Sequence, residues 1–315
     1  MRKKISLVGS GNIGGTLAHL IALKELGDIT LIDIDKGVPQ GKALDLAQSS
    51  SVELFNVNIE GSNNYSSLKN SDVVIITAGI PRLPGMSRDD LLETNTRIIS
   101  TIGKAVKKYC PKAFLICITN PLDAMVSILQ LSSKVKHHMC VGMAGILDSS
   151  RMKYFLSKAL NVSIKSIETF VLGGHGDTMV PMIRYTTISG IPIQELIKNK
   201  TISKKRVNDI LKRTQNGGGE INRLLKKGSA FYAPASSAVQ MAESFLKNKK
   251  MILPCAAYLN GEYGVRGLYV GVPVIIGSKG VEKIIKLQLT AIEKKQFNNS
   301  VKAVRKLTNL ALKLS

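Results

Sequence analysis

Apolar residues run along the first half of this chain in short blocks that alternate with longer segments of three- and four-residue spacing, the pattern of parallel β-α-β units. The blocks predict strands at residues 4–8, 29–34, 72–77, 113–119 and 138–141. Several are continuous apolar runs, which suits strands covered by helices on both faces. The segments between them predict helices near 13–26, 40–48, 87–109 and 122–131. Right-handed crossovers would stack these elements into an α/β, doubly wound, open parallel sheet. Beyond about residue 145 the pattern becomes α+β: longer helical segments are interrupted by a meander-like region, 256–277, dense in Tyr, Val, Ile and Gly. Near the C-terminus Val281, Ile284, Ile285, Leu289 and Ile292 recur at helical spacing with Lys283, Lys286, Lys294 and Lys295 between them, predicting a surface helix with one buried face. The division expected is 1–145 and 146–315. No linker separates the halves, so they should share an extensive interface with the site in the cleft between them.

A chain of 315 residues can support two cores, and 44% hydrophobic against 21% charged residues with mean hydropathy +0.09 describes an ordinary globular protein. No apolar run approaches the 18 residues of a membrane span. Basic residues follow Met1, but Ile5 to Val8 are too few for the apolar core of a signal peptide, so the expected location is cytoplasmic, without a membrane partner. Cys110, Cys117, Cys140 and Cys255 form no C-x-x-C pair and read as buried reduced thiols; no metal site is expected. The net charge of +22 is uneven: residues 1–150 hold 16 Lys/Arg against 13 Asp/Glu, and residues 151–315 hold 28 against 9. Nucleic acid, an anionic substrate or a lysine-rich compositional bias would each account for it. Aromatics at 5%, with no base-stacking motif or zinc spacing, give little support to a basic nucleic-acid-binding protein.

Gly9-Ser10-Gly11-Asn12-Ile13-Gly14 directly follows the first strand and directly precedes an apolar-periodic helix. In that context G-x-G-x-x-G is a phosphate loop: the first glycine allows the tight turn, the second lets backbone approach a pyrophosphate, and the third allows close helix packing. The next strand ends in Asp33, 19 residues after Gly14, where a ribose hydroxyl acceptor is expected in a Rossmann domain. A carboxylate there repels a 2′-phosphate, so the cofactor expected is NAD. Gly217-Gly218-Gly219 follows a helical segment rather than a strand and reads as a flexible helix break.

Leu172-Gly173-Gly174-His175-Gly176-Asp177 leaves an imidazole poorly shielded among glycines, able to act as acid or base. Asp148 and Arg151, three residues apart on a helix, can point into one cleft. Taken singly, these three also fit an N-cap, a surface cation and a loop residue. Asn120, in Thr119-Asn120-Pro121 at the carboxyl end of a strand, stands where open α/β sheets bind ligands. Residues 78–88 carry two Pro, two Gly and the arginines Arg82 and Arg88, in the manner of a lid whose guanidinium forks suit carboxylates.

Together the segments Gly9 to Gly14, Asp33, Ala78 to Arg88, Thr119 to Pro121, Asp148 to Arg151 and Gly173 to Asp177 resemble the malate and lactate dehydrogenase superfamily over nearly the whole chain. The lid is similar to that of bacterial malate dehydrogenases nearest to lactate dehydrogenases. The resemblance implies an NAD-dependent oxidoreductase acting on malate or oxaloacetate, with lactate dehydrogenase as the alternative, and a homo-oligomer, tetramer before dimer. It implies that His175 exchanges the hydroxyl proton and Asp148 orients it. Arg151 would clamp one substrate carboxylate, Arg88 polarise the carbonyl, Asn120 contact substrate oxygen and Arg82 pair with the second carboxylate. Gly9, Ser10, Gly11, Asn12, Ile13, Gly14, Asp33, Asn95, Ile118, Thr119 and Asn120 would line the cofactor. Leu83 departs from the lysine common among relatives, and the small side chains of Ala233-Pro234-Ala235-Ser236-Ser237 would leave room for a dicarboxylate.

Overall fold

The computed structural model describes residues 2–81 and 87–315. Its first half alternates β1 (Lys4–Val8), α1 (Asn12–Leu23), β2 (Asp28–Ile32), α2 (Val38–Glu53), β3 (Ile59–Ser62), β4 (Val73–Ile76), α3 (Arg88–Tyr109), β5 (Phe114–Cys117), α4 (Leu122–Ser133) and β6 (Cys140–Gly142). The strands lie parallel in the order β3-β2-β1-β4-β5-β6, so the direction of winding reverses between β1 and β4. That reversal opens the crevice where such sheets bind ligands. The continuous apolar runs are explained by burial on both faces. Val73 and Ile75 of β4 enter one core with Leu17 and Ile21 of α1, while Val74 and Ile76 enter another with Ile99 and Ile102 of α3. Ser87 and Asp90 close a capping box at the start of α3. β3 is an addition to the sequence reading: its four residues, Ile-Glu-Gly-Ser, are too few and too polar to stand out, as befits an edge strand.

The second half begins with α5 (Gly145–Leu160). Short strands follow, β7 (Ile167–Glu168), β8 (Val171–Leu172), β9 (Val180–Pro181), β10 (Thr187–Ile188) and β11 (Ile191–Pro192). Next come α6 (Ile193–Lys198), α7 (Lys204–Gln215), α8 (Gly217–Leu225) and α9 (Tyr232–Leu246), then β12 (Met251–Asn260), β13 (Arg266–Gly277), β14 (Gly280–Ile284) and α10 (Ala291–Lys313). The meander joins the first sheet instead of standing apart. Ala256 of β12 pairs antiparallel with Gly142 of β6, giving nine strands in one sheet among the described residues. The interface between the halves is therefore partly a continuous backbone ladder.

Two expectations are corrected. The helix expected over 281–292 is a strand and a loop, and the C-terminal helix starts only at Ala291, capped by Thr290 and Glu293. Ile276 pairs with Val281 and Ile275 with Lys283, so Glu282 is an inserted residue. Such a bulge puts residues three apart, Val281 and Ile284, on one face of a strand and mimics helical spacing. The second correction concerns Gly217 to Gly219, which form the first turn of α8; the break between α7 and α8 is at Asn216.

Candidate active site

The turn from β1 into α1 is built by close approach. A Cβ on Gly14 would stand 2.0 Å from the Gly9 carbonyl oxygen, and one on Gly9, at φ +107°, would meet Thr77 Oγ1 at 2.4 Å. Gly11 differs, because a Cβ there would meet nothing within 4 Å. It is the N-cap of α1, which has no side-chain cap and no acid in its first turn, so the helix N-terminus faces open space. Free N–H groups at such an end suit an anion. Lys42 of α2 reaches across to donate to the Gly11 carbonyl at 3.0 Å, a cation beside the loop that sequence spacing did not single out. Asp33, one residue past β2, accepts from Ser10 N–H at 2.5 Å and from Asp35 N–H at 3.2 Å. It thus braces the loop, and a carboxylate has lone pairs left for a hydroxyl.

At the other end of the crevice, β8 leads into the glycine-flanked His175. Gly173, at φ +86°, exchanges main-chain hydrogen bonds with Gly271 of β13 at 2.9 and 3.0 Å. Gly174 N–H donates to Ser300 Oγ of α10 at 2.8 Å, and His175 N–H donates to Asp123 Oδ2 of α4 at 2.9 Å. Three successive N–H groups are thereby held by three different elements. The imidazole Nδ1 lies 2.9 Å from Asp148 Oδ2, and Arg151 Nη1 donates to the other oxygen of Asp148 at 3.0 Å. A carboxylate only accepts, so Nδ1 carries a proton and Nε2 is left for chemistry. Asp148 is 1% exposed, against 12% for Arg151 and 17% for His175. Burial pushes the imidazole down, but the charge and hydrogen bond of Asp148, and then the charge of Asp123, outweigh it against a smaller opposing effect of Arg151; the pKa is raised above its ordinary value.

His175 and Arg151 open onto a cleft of about 370 Å³ shared with Ile13, Ile118, Asn120 and Pro234. The structure thus brings residues of the phosphate loop, the β5 end, α5 and the His175 loop together around one space. A positioned imidazole and a guanidinium beside it can protonate an oxygen while holding an anion. Gly217 explains how Arg151 fits: a Cβ there would stand 2.8 Å from Arg151 Cδ. Gly217 and Gly218 are a seat for the Arg151 side chain.

The family model described as "lactate/malate dehydrogenase, NAD binding domain" matches residues 3–142, and that described as "lactate/malate dehydrogenase, alpha/beta C-terminal domain" matches 146–314. The chain belongs to the lactate/malate dehydrogenase family. Among solved structures, malate dehydrogenase from Cryptosporidium parvum is 49% identical, with 98% of each chain covered and a TM-score of 0.96. Lactate dehydrogenase from Eimeria maxima with NADH and oxamate is 51% identical over 100% of this chain and 95% of its own, at 0.97. Malate dehydrogenase from Plasmodium falciparum is 40% identical over 99% of both, at 0.96.

The protein is an NAD-dependent dehydrogenase of this family, and its crevice fits the cofactor. The space over Gly11 and the uncapped N-terminus of α1 suit a pyrophosphate, and Asp33 suits a ribose hydroxyl. Asn95 is 1% exposed and links two loops. Its Oδ1 accepts from Ile80 N–H at 2.9 Å, and its Nδ2 donates to Ile80 and Asn120 carbonyls at 3.2 and 2.8 Å. It ties the loop after β4 to the loop after β5. Thr119 adds a second tie, donating to the Ala78 carbonyl at 2.7 Å. Arg82 and Leu83 lie outside the described residues, as does the side chain of Arg88. No helix among the described residues is long and apolar enough to cross a membrane. All four cysteines are free and buried, and burial pushes the Cys117 thiol up to about 12. Asp123 was not singled out in the sequence: as the last residue of Asn120-Pro121-Leu122-Asp123 it has the look of an ordinary acid in a first helical turn.

Proposed function

We propose that this dehydrogenase interconverts (S)-malate and oxaloacetate, with His175 as proton acceptor and donor. The observation that carries the choice of substrate is Arg82, a cation at the position where a lactate enzyme carries an uncharged amide. When bound, the nicotinamide takes or supplies the hydride at the substrate's C2. In reduction, doubly protonated His175 gives its Nε2 proton to the oxygen that becomes the hydroxyl; in oxidation Nε2 takes that proton back. Asp148 keeps the ring oriented and offsets the imidazolium charge. Arg151 holds the carboxylate next to the reacting carbon, Arg88 polarises the carbonyl, and Asn120 contacts its oxygen. Gly9 to Gly14 and Asp33 hold the dinucleotide, with Ile118 and Thr119 along its path. The second reading, lactate dehydrogenase, is favoured by the 51% identity to the Eimeria maxima enzyme.

NADH oxidation by the purified protein with oxaloacetate and, in parallel, pyruvate separates the two readings. Oxaloacetate is expected to be the better substrate, and Arg82→Gln to lower its kcat/KM by roughly a hundred- to several-thousand-fold. That is the factor corresponding to about 3–5 kcal/mol for stripping a sequestered charge of its partner. Pyruvate, with a methyl group in place of the second carboxylate, should hold steady or improve. Equal losses for both substrates would leave Arg82 without a role in selection, and a wild-type preference for pyruvate would establish the second reading.

A further inference from the structure

The three N–H groups that fix the His175 loop have unequal acceptors. Gly173 uses a carbonyl and Gly174 a hydroxyl, both neutral, yet His175 uses the carboxylate of Asp123. A neutral acceptor would anchor an N–H at less cost, since a buried carboxylate is strongly desolvated. Asp123 is 5% exposed, makes no ion pair with Lys or Arg among the described residues, and its Oδ1 has no hydrogen-bond partner among them. It packs against the Gly174 position, where a Cβ would meet Val304 Cγ2 at 2.5 Å and Asp123 Oδ2 at 3.2 Å. The imidazole therefore has Asp148 on its ring nitrogen and a second carboxylate under its own main chain.

We infer that Asp123 is a positioning residue for proton transfer, whose negative charge beneath the His175 main chain stabilises the doubly protonated imidazole together with Asp148. The inference rests on the reading of His175 as proton donor and acceptor, and Asp123 itself neither gains nor loses a proton in the reaction. Charged and titratable groups face it from three sides: His175 from its loop, Asp148 from α5 with Arg151 behind it, and Cys117 from β5. α10 contributes the neutral Ser300 and Val304, which share the surroundings of Gly174 with Asp123. Burial pushes the Asp123 carboxyl up to about 6, with repulsion from Asp148 in the same direction and the charge and N–H of His175 opposing. Asp123 is thus ionised at neutral pH and neutral in acid, so its effect on the imidazole switches off as pH falls.

Asp123→Asn keeps an oxygen to accept the His175 N–H and removes only the charge. The imidazole is followed by NMR titration of the ¹⁵N-histidine-labelled protein, with the resonance assigned by its loss in His175→Asn. Turnover is followed as the pH profile of NADH-dependent reduction of whichever 2-keto acid the protein accepts. The His175 midpoint should move to lower pH, and reduction on the alkaline limb should fall by about tenfold, the factor that one unit of pKa represents. NADH affinity should be unchanged, and the difference from wild type should close below about pH 5. An unmoved midpoint, or a loss equal at every pH, would overturn the inference and make Asp123 a plain anchor. If the variant does not fold, wild-type protein decides: the His175 resonance should show a second inflection as Asp123 titrates, and a single-site curve is the contrary result. Retained turnover in His175→Asn would instead defeat the proposed function while leaving the imidazole titration interpretable.

Discussion

At the scale of single residues, the charge that supports His175 is a charge the fold would rather not bury. The Asp123 carboxyl stands at about 6 in the folded chain against an ordinary 3.8, so between those values the folded state binds more protons than the unfolded one. Stability then falls as pH rises through that window, and above it the ionised carboxylate costs up to about 3 kcal/mol at 1.36 kcal/mol per unit. Asp123→Asn is therefore expected to be more stable than wild type at pH 8, by about 2–5 °C in Tm. The gain should shrink toward pH 4, where both side chains are neutral. Thermal unfolding of the two proteins at several pH values checks this. A variant less stable than wild type at pH 8 would show that the Asp123 charge is compensated more fully than His175 alone provides against the repulsion of Asp148. Coupled with a poorer alkaline limb in reduction, the stability gain would mark Asp123 as retained for the reaction rather than for the fold.

At the scale of elements, the first turn of α8 trades helix stability for room around the Arg151 side chain. Glycine in a helix costs about 1 kcal/mol relative to alanine, so Gly217→Ala should strengthen the helix. Its Cβ, however, would lie 2.8 Å from Arg151 Cδ and displace the guanidinium. The expected result is a KM for the keto acid raised about tenfold with a smaller change in kcat, while NADH binding is unaffected. Gly219→Ala is the control, since its Cβ meets only Arg223 Nη1 at 3.8 Å. Equal KM values for wild type and Gly217→Ala would remove the glycine from the site. This contact also shows what a sequence conceals. The phosphate loop and Asp33 were legible because they depend on local spacing, whereas Asp148, Arg151 and His175 stood out singly but were joined into one set only by the resemblance, since His175 lies 27 residues from Asp148. Gly217 and Asp123 were not legible, because what defines them is an approach between elements far apart in the chain. The same distinction holds for the fold. β1, β4 and β5 were visible as apolar runs, whereas the bulge at Glu282 and the single β6–β12 pairing that extends the sheet are properties of strand register.

At the scale of the whole molecule, the charge is the feature that neither the fold nor the site absorbs. Residues 151–315 carry 28 basic against 9 acidic side chains, and many of them, such as Lys294, Lys295, Lys302 and Lys306 of α10, are exposed. The cleft adds Arg151 and Arg223 to this field. A positive surface around a cleft raises the encounter rate of an anion, and the effect grows with the anion's charge. Oxaloacetate, a dianion, should therefore gain more than pyruvate, a monoanion. Salt screens such steering within about 8 Å at physiological ionic strength, whereas a contact made inside the closed cleft is screened far less. As ionic strength rises, kcat/KM for oxaloacetate is expected to fall more steeply than kcat/KM for pyruvate and more steeply than NADH affinity weakens. Stopped-flow or steady-state assays between low and physiological salt, under conditions where capture limits the rate, provide the comparison. Parallel slopes for the two keto acids would mean that the field does not reach the substrate. The lysines would then be a compositional trait of the surface, and the proposed preference for a dicarboxylate would rest on Arg82 alone.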